Sequence, residues 1–191
     1  MLVVILIIGL GIGFVAINVG EGSHELRLSA KQLANNTSLV AAEAVLSGEQ
    51  WGLEFYRSTE LQQADAEVYG YRWLKRIYWT PPEESGDKAK WLWRPTELLG
   101  VEIENDFSAL IKLQLEKEDI EIFIDDLVAF DERNIGKNTL KPDIYLFSNG
   151  EMTPFTLKLL DPESDDIRQT ITGDLLGRIK LNDNDGSSDF Q

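Results

Sequence analysis

The sequence predicts an α+β protein in which a long N-terminal helix packs on an antiparallel β-sandwich. Three observations carry this prediction. Residues 1–19 have no charged side chain, residues 26–44 repeat apolar side chains at steps of three and four, and from Trp51 onward the apolar period changes to two. Steps of three and four fill one helix face, whereas alternation fills one face of a strand. A chain of 191 residues is long enough for one such domain and its helix.

Residues 1–19 predict a helix that stays in a membrane. At ~1.5 Å per residue it reaches roughly 25–28 Å, close to the ~30 Å hydrocarbon core of a bilayer. No basic residue precedes the run and a poor cleavage segment follows it, so it does not read as a signal peptide. The spacing of Gly9 and Gly13 allows close packing between membrane helices, although such pairs also occur with no such role. The side chains expected to contact lipid or neighbouring helices are Val3, Val4, Ile7, Ile8, Gly9, Gly13 and Phe14.

Residues 20–48 predict an amphipathic continuation of the same helix, which packs on the sheet. Gly20 and Gly22 weaken the helix where its membrane part meets its amphipathic part, and the sequence leaves open whether the helix bends there. Gly48 suits a left-handed C-terminal cap. The side chains expected to face the sheet are Leu26, Ala30, Leu33, Val40 and Ala44, with Thr37 in the same row.

Residues 49–181 predict the β-rich globular domain, and the polar, acidic residues 182–191 predict a frayed tail. An Asn-Gly turn at 148–150 is expected to join residues 145–147 and 155–157 as a tight hairpin. Residues 80–87 are rich in Pro, Glu and Gly and predict a loop. The predicted strands are 51–56, 68–77, 91–94, 99–103, 111–115, 120–124, 143–147, 154–160, 167–172 and 175–180.

Composition excludes several classes of function. The net charge of −15 opposes binding to nucleic-acid phosphates and anionic lipid heads, and the absence of cysteine excludes disulfides and thiolate metal sites. The single histidine, His24, lies beside the predicted membrane junction, where a catalytic triad would have to form at the lipid surface. We therefore predict that the protein is not an enzyme, has no catalytic residues and binds neither a metal nor a cofactor.

Two groups of side chains leave an alternative open. The acidic pairs Glu83-Glu84, Asp125-Asp126 and Asp165-Asp166, and the aspartates around Gly186, are typical of solvated loops and only faintly resemble catalytic or calcium sites. The tryptophans at 73, 79, 91 and 93 would suit either a core or an aromatic binding platform. The exposure of their rings distinguishes these two readings.

The residues themselves resemble a known family. The opening run MLVVILIIGL is similar to the hydrophobic segment of type IV pilins and pseudopilins, and residues 41–53, 69–74, 143–155 and 173–177 resemble the H-type minor pseudopilin of the type II secretion system. The narrowest signal is a segment that we call the signature turn: Ser148, Asn149, Gly150, Glu151, Thr153, Pro154 and Phe155.

This resemblance implies a pilin-like fold and a structural role without nucleic acid. The helix would anchor the subunit in the bacterial inner membrane by a single pass, with the globular domain in the periplasm. Its partners would be other minor pseudopilins, the major pseudopilin, the inner-membrane secretion platform and the lipid bilayer, near the tip of a pseudopilus that exports folded proteins. The family's glycine cleavage site and following glutamate are missing here, so we expect residues upstream of Met1.

Two other functions remain as alternatives. A minor pilin of a type IV pilus, for fibre assembly or DNA uptake, would share the N-terminal helix but would be expected to carry a basic surface. A membrane-anchored periplasmic enzyme or binding domain would need an exposed site on the β-rich domain.

Overall fold

A single helix and two antiparallel sheets make up the described part of the chain. The computed structural model describes residues 2–58, 68–98, 101–102, 104–107, 112–117, 120–122, 124, 140–161 and 166–183. It describes only the backbone for residues 2–23, 58, 68, 104–106, 112, 120–122 and 183. The predicted α+β class is confirmed. Over the described residues, no helix has the length and apolar character that a membrane crossing requires.

Helix α1 runs without a break from Leu2 to Ser47. It therefore continues through Gly20 and Gly22, as the prediction of one long helix requires. Gly48 follows at φ +70°, a left-handed conformation that glycine adopts without steric cost, and this residue ends the helix as predicted. The side chains of the predicted membrane-packing residues, from Val3 to Phe14, lie outside the described part of the structure.

The first sheet has the strand order β3-β2-β1-β7, and β4 also pairs with β2. Aromatic and β-branched side chains dominate its longest strands, as expected for a pleated and half-buried surface. Its strands are β1 (Trp51–Ser58), β2 (Val68–Trp79), β3 (Lys90–Pro95), β4 (Glu104–Asp106) and β7 (Ile144–Leu146). A 3-10 turn at Glu83–Ser85 lies in the predicted loop between β2 and β3.

The second sheet has the order β10-β9-β8-β5-β6. Its middle strand β8 shows strict alternation of buried and half-buried side chains, which is the pattern of a strand with one face on a core. The strands are β5 (Lys112–Lys117), β6 (Ile120–Ile122), β8 (Phe155–Leu160), β9 (Ile167–Gly173) and β10 (Ile179–Asp183). Helix α1 contacts β9 and β10 of this sheet as well as β1 and β7 of the first, so both sheets meet at the helix.

Two sequence predictions about the strands are wrong, one on pairing and one on where a strand begins. The Asn-Gly turn does not join residues 145–147 to 155–157, because β7 belongs to the first sheet and β8 to the second. The predicted strand 175–180 begins only at Ile179, since residues 175–177 form a turn. The carboxylate of Asp174 stabilises that turn by accepting hydrogen bonds from the backbone N–H groups of Leu176 and Arg178.

The predicted strand 99–103 falls mostly outside the described residues. Within it, Val101 forms an isolated bridge with Leu98, and the strand of this region that pairs with β2 is β4, at 104–106. Beyond β10, residues 184–191 of the predicted tail are also outside the described part of the chain.

Candidate assembly surfaces

The part of α1 that lies against the sheets has an apolar face that is fully buried. We call it the core face, and its apolar members belong to one hydrophobic cluster with residues of both sheets. It consists of Leu26, Ala30, Leu33, Thr37, Val40 and Ala44, none of them more than 4% exposed. Thr37 fits among apolar neighbours because its hydroxyl donates to the Leu33 carbonyl oxygen at 2.7 Å, which satisfies the polar group locally.

The same helix carries a second row of side chains that faces solvent. Leu28, Leu39 and Leu46 are 51, 48 and 83% exposed, a large apolar surface for residues of this type. Exposed side chains recur here at steps of four and three, which is the spacing of a helix–helix seam. We call this row the outer stripe: Leu28, Gln32, Asn35, Leu39, Ala42 and Leu46. At 100° per residue, it lies opposite the core face.

The signature turn lies at the C-terminal end of α1. Its first three residues, 148–150, form a loop that is closed by a hydrogen bond from the Gly150 N–H to the Phe147 carbonyl oxygen and one from the Phe147 N–H to the Glu151 carbonyl oxygen. The Asn149 side-chain oxygen accepts from the Glu151 N–H at 3.0 Å. Gly150 has φ +88°, and a Cβ placed there would lie 3.7 Å from the Val45 side chain. The turn therefore touches the last turn of the helix.

The remaining residues of the signature turn connect the two sheets. Thr153, after the loop, pairs with β7, because it donates its N–H to the Tyr145 carbonyl oxygen and its hydroxyl accepts from the Tyr145 N–H. Pro154 is exposed and Phe155 is buried. Phe155 packs under Gly173, where a Cβ would lie 2.3 Å from its ring. These residues stabilise the junction between the sheets, and sequence reasoning had placed them only in a hairpin.

A second turn, at residues 174–177, packs on the signature turn. The Met152 N–H donates to the Leu175 carbonyl oxygen at 3.1 Å. A Cβ at Gly177 would lie 2.9 Å from the Gly150 carbonyl oxygen. Three of the sequence segments that carry the family resemblance, 41–53, 143–155 and 173–177, thus meet at the end of α1. Their side chains are used for packing and for turn hydrogen bonds.

The tryptophans do not form one platform. Trp73 and Trp79 lie on one face of β2, whereas Trp91 and Trp93 pair with Tyr78 and Arg76, which lie on its other face. Trp73 is fully buried in the core and Trp91 is 57% exposed. The core interpretation therefore holds for Trp73, and among the described large aromatic side chains the most exposed are Trp91 and its neighbour Tyr78.

The candidate catalytic groups are dispersed. His24, Glu83, Glu84 and Asp166 are exposed, and Asp125, Asp126 and Asp165 lie outside the described residues. Among the side chains that the structure describes, no three acidic or histidine residues are grouped as a metal site would require. Asp174 has a pKa below its usual value, mainly because the Arg178 backbone N–H stabilises the ionised carboxylate. This hydrogen bond belongs to a turn.

Sequence reasoning missed the outer stripe and a buried ion pair. Arg72 is fully buried, and its Nε lies 2.6 Å from the Glu54 carboxylate, directly across the β1–β2 ladder. The strand register, which pairs Glu54 with Arg72, would have been needed to find this pair. The outer stripe did have a signal, because its leucines follow the same spacing as the core face.

This arrangement of helix and sheets is similar to solved structures of minor pseudopilins. Two structures of EpsH from the type II secretion system of Vibrio cholerae match, one with a TM-score of 0.56 at 20% identity over 86% of this chain and 99% of that chain. The other has a TM-score of 0.55 at 19% identity over 83% and 94% of the two chains. The solution structure of E. coli GspH has a TM-score of 0.51 at 16% identity over 87% and 94%.

The fold is that of a minor pseudopilin. The predicted resemblance to the H-type pseudopilins is thereby confirmed for the fold, and nearly the full length of each of these structures is matched. No protein-family model matches the sequence, and no curated protein matches it either. The likeness therefore lies in the packing of helix and sheets far more than in residue identity.

Proposed function

We propose that this chain is a structural minor pseudopilin of a type II secretion system. It would assemble near the tip of a periplasmic pseudopilus, with other minor pseudopilins and the major pseudopilin beside it, and support export of folded proteins. The proposal makes it a scaffold subunit without catalytic activity. The observation that carries it is α1, a helix with one apolar face buried in its own domain and a second, opposite apolar row left exposed.

The outer stripe supports a helix–helix contact. Its three leucines are each about half exposed or more. Covering an apolar side chain of this size stabilises an association by about 1.5–3 kcal/mol per fully buried residue. Gln32 and Asn35 interrupt the row and would favour one register over its alternatives by hydrogen bonding. A lateral contact along α1 is what a fibre of such subunits needs.

The membrane anchor is part of the proposal. Residues 1–19 are uncharged, and the backbone of α1 is helical from Leu2 onward, so one continuous helix would place the globular domain beside the inner membrane on the periplasmic side. Gly9 and Gly13 would allow neighbouring anchors to approach closely in the bilayer and on the secretion platform. The formal charge of −15 argues against the DNA-uptake role of some type IV pilins.

The β-sandwich also remains a proposal. Leu53 of the first sheet and Leu157 of the second are both fully buried in the same core cluster as α1. This supports an arrangement in which the two sheets are the layers of a sandwich, closed on one side by the helix.

The test compares two equally conservative changes at exposed leucines. Leu39→Gln removes an apolar side chain from the outer stripe, and Leu176→Gln removes one that is 65% exposed on the turn between β9 and β10. We expect Leu39→Gln to reduce export, in a strain that lacks the wild-type copy, by about tenfold, the effect of losing ~1.4 kcal/mol of assembly energy. Leu176→Gln should export normally, and both variants should melt at the wild-type temperature.

Normal export by Leu39→Gln, at wild-type protein levels, would contradict the proposal. Equal losses in both variants would show that exposed apolar surface in general, and not the outer stripe, supports export.

A further inference from the structure

The β2–β3 hairpin carries an exposed aromatic cluster that the helix-based assembly does not use. Tyr78 and Trp91 are 59 and 57% exposed, and their rings meet edge to face at a centroid distance of 5.2 Å. The Arg76 guanidinium carbon lies 5.2 Å from the centre of the Trp91 ring. These three side chains line a groove of about 600 Å³ that continues to Gln50 and Gly48 at the end of α1. Exposed aromatic and arginine side chains are the residue types that most often dominate the binding energy of protein interfaces.

Within the described part of the chain, strand β3 also presents backbone groups without a partner strand beside this cluster. Among the described strands it pairs only with β2 and forms one end of the first sheet. The Thr96 N–H bonds to the Trp73 carbonyl oxygen at 3.2 Å, which makes this residue pair a hydrogen-bonded one. Hydrogen-bonded and non-hydrogen-bonded pairs alternate along an antiparallel ladder.

The register then fixes which groups of β3 point outward. Arg94 and Leu92 fall in hydrogen-bonded pairs with β2, whereas Trp93 and Trp91 fall in the pairs between them. The backbone N–H and C=O groups of Trp91 and Trp93 therefore point away from β2, toward the open edge. Pro95 ends this row because it has no N–H group to offer.

The hairpin has the opposite charge to the rest of the chain. Residues 72–94 contain six of the 18 Lys and Arg residues but only three of the 33 Asp and Glu residues, within a chain of net charge −15. Lys90, on β3, is exposed. Arg76 donates to the neutral side-chain oxygen of Gln50 at 2.5 Å, a contact that leaves its positive charge in the groove. A second copy of the whole chain would be repelled by its like charge, whereas an acidic segment would be attracted.

We propose that the β3 edge binds an extended acidic peptide segment of another protein, which adds as a strand to the first sheet. Its backbone would pair with Trp91 and Trp93. Its carboxylates would face Lys90 and Arg94, which lie on one face of β3, and its apolar side chains would cover the Tyr78–Trp91 pair on the other face. Backbone pairing supplies affinity in this mode of recognition, and the side chains at alternate positions supply specificity. This surface is separate from the outer stripe of α1, so the proposal stands or falls independently of the pseudopilin role.

The test uses the purified full chain in detergent and a synthetic peptide of alternating Asp and Val, equal in length to the 6 residues of β3. Amide hydrogen exchange is followed by NMR. We expect bound peptide to slow exchange of the Trp91 and Trp93 N–H groups by about tenfold or more, with little change at Leu92 and Arg94, which are already paired. Raising the salt concentration should weaken binding, because the attraction is ionic.

Variants locate the site. Trp91→Thr keeps a residue suited to a strand but removes the ring, and should weaken peptide binding by about tenfold or more. Leu176→Thr, at an exposed site on the second sheet, should bind as the wild type does. Circular dichroism would establish that both variants are folded.

Four results would overturn the proposal. Trp91 and Trp93 exchange could stay unchanged at saturating peptide, a peptide of alternating Lys and Val could bind as tightly, or Trp91→Thr could bind normally. Concentration-dependent protection of the same two N–H groups without peptide would make the occupant a second copy, which also overturns it.

Discussion

The two apolar rows of α1 use the same spacing and reach opposite ends of the burial scale. The core face is at most 4% exposed, whereas the leucines of the outer stripe are 48–83% exposed. Nothing in the local backbone distinguishes them, since both lie on one regular helix. The difference comes from what lies beside each row, because the two sheets cover the core face whereas solvent surrounds the outer stripe. The spacing of apolar side chains therefore predicts a row on the helix, and only the tertiary structure shows whether the chain itself covers that row.

The largest expected difference is between two variants, in each of which one leucine is shortened, on the core face or on the outer stripe. Leu33→Ala on the core face should destabilise the domain by about 2–5 kcal/mol. Leu33 is only 1% exposed, so removing most of its side chain leaves a cavity that its neighbours do not fill. Leu39→Ala, the matched change on the outer stripe, should alter the free energy of unfolding by less than about 0.5 kcal/mol. Urea unfolding of the two variants measures both values. Equal losses would mean that the outer row is also a folding determinant.

A second prediction concerns Tyr71, which lies in the hydrophobic core beside the core face, and the pH dependence of stability. Tyr71 is 2% exposed, and burial raises the pKa of its hydroxyl from 10.0 to about 12, although a hydrogen bond with the Asn36 side chain opposes the rise. Because the folded-state pKa is the higher one, Tyr71 contributes its full stabilisation below pH 10 and loses it as the pH rises toward 12. The loss at the upper limit is about 2–3 kcal/mol.

Tyr71→Phe provides the control. It should be less stable than the wild type at neutral pH, since Asn36 loses a partner, but it should lose less stability between pH 10 and 12. Urea midpoints at both ends of this range give the comparison. Parallel pH profiles for the two proteins would show that Tyr71 ionises without cost and that the core behind α1 is open to water.

The smallest effect should come from the turns that hold the end of α1. Gly177 and Gly86 have nearly the same left-handed φ, +76° and +69°, so alanine at either site costs about 1 kcal/mol of backbone strain. A Cβ at Gly177 also meets the Gly150 carbonyl oxygen at 2.9 Å, whereas a Cβ at Gly86 meets nothing within 4 Å. Gly177→Ala should therefore be less stable than Gly86→Ala by about 1 kcal/mol in thermal unfolding.

If the two glycine variants unfold alike, the packing of the 174–177 turn on the signature turn contributes nothing to stability. The end of the helix would then be held by the core face alone.

The elements set by local spacing could be predicted from the sequence, and those set by partners distant in the chain could not. The helix and its end at Gly48 follow from side-chain period and a glycine conformation, both local properties. The Asn-Gly turn is local too, and it forms where expected. Which strand follows it in the sheet depends on non-local pairing, so residues 155–157 were assigned to the wrong partner.

The same limit applies to the candidate surfaces. Leucines at 28, 39 and 46 could be counted in the sequence, but their exposure depends on which side of α1 the sheets occupy. Trp73 and Trp91 are equally aromatic, and only the β2–β3 register places them on opposite faces. The outward N–H groups of β3 needed the hydrogen-bond phase of that ladder, which no composition or motif specifies.

The unbroken course of α1 has a mechanical consequence. The helix has 46 residues, about 69 Å along its axis, and its C-terminal part is fixed to the domain along the whole core face. A force applied along the helix axis from its N-terminal side would load a column of axial hydrogen bonds and pass into the sheets as shear along six side chains, from Leu26 to Ala44. The load is spread over about five turns of helix. A force large enough to break one contact would thus be divided among all the contacts of the core face.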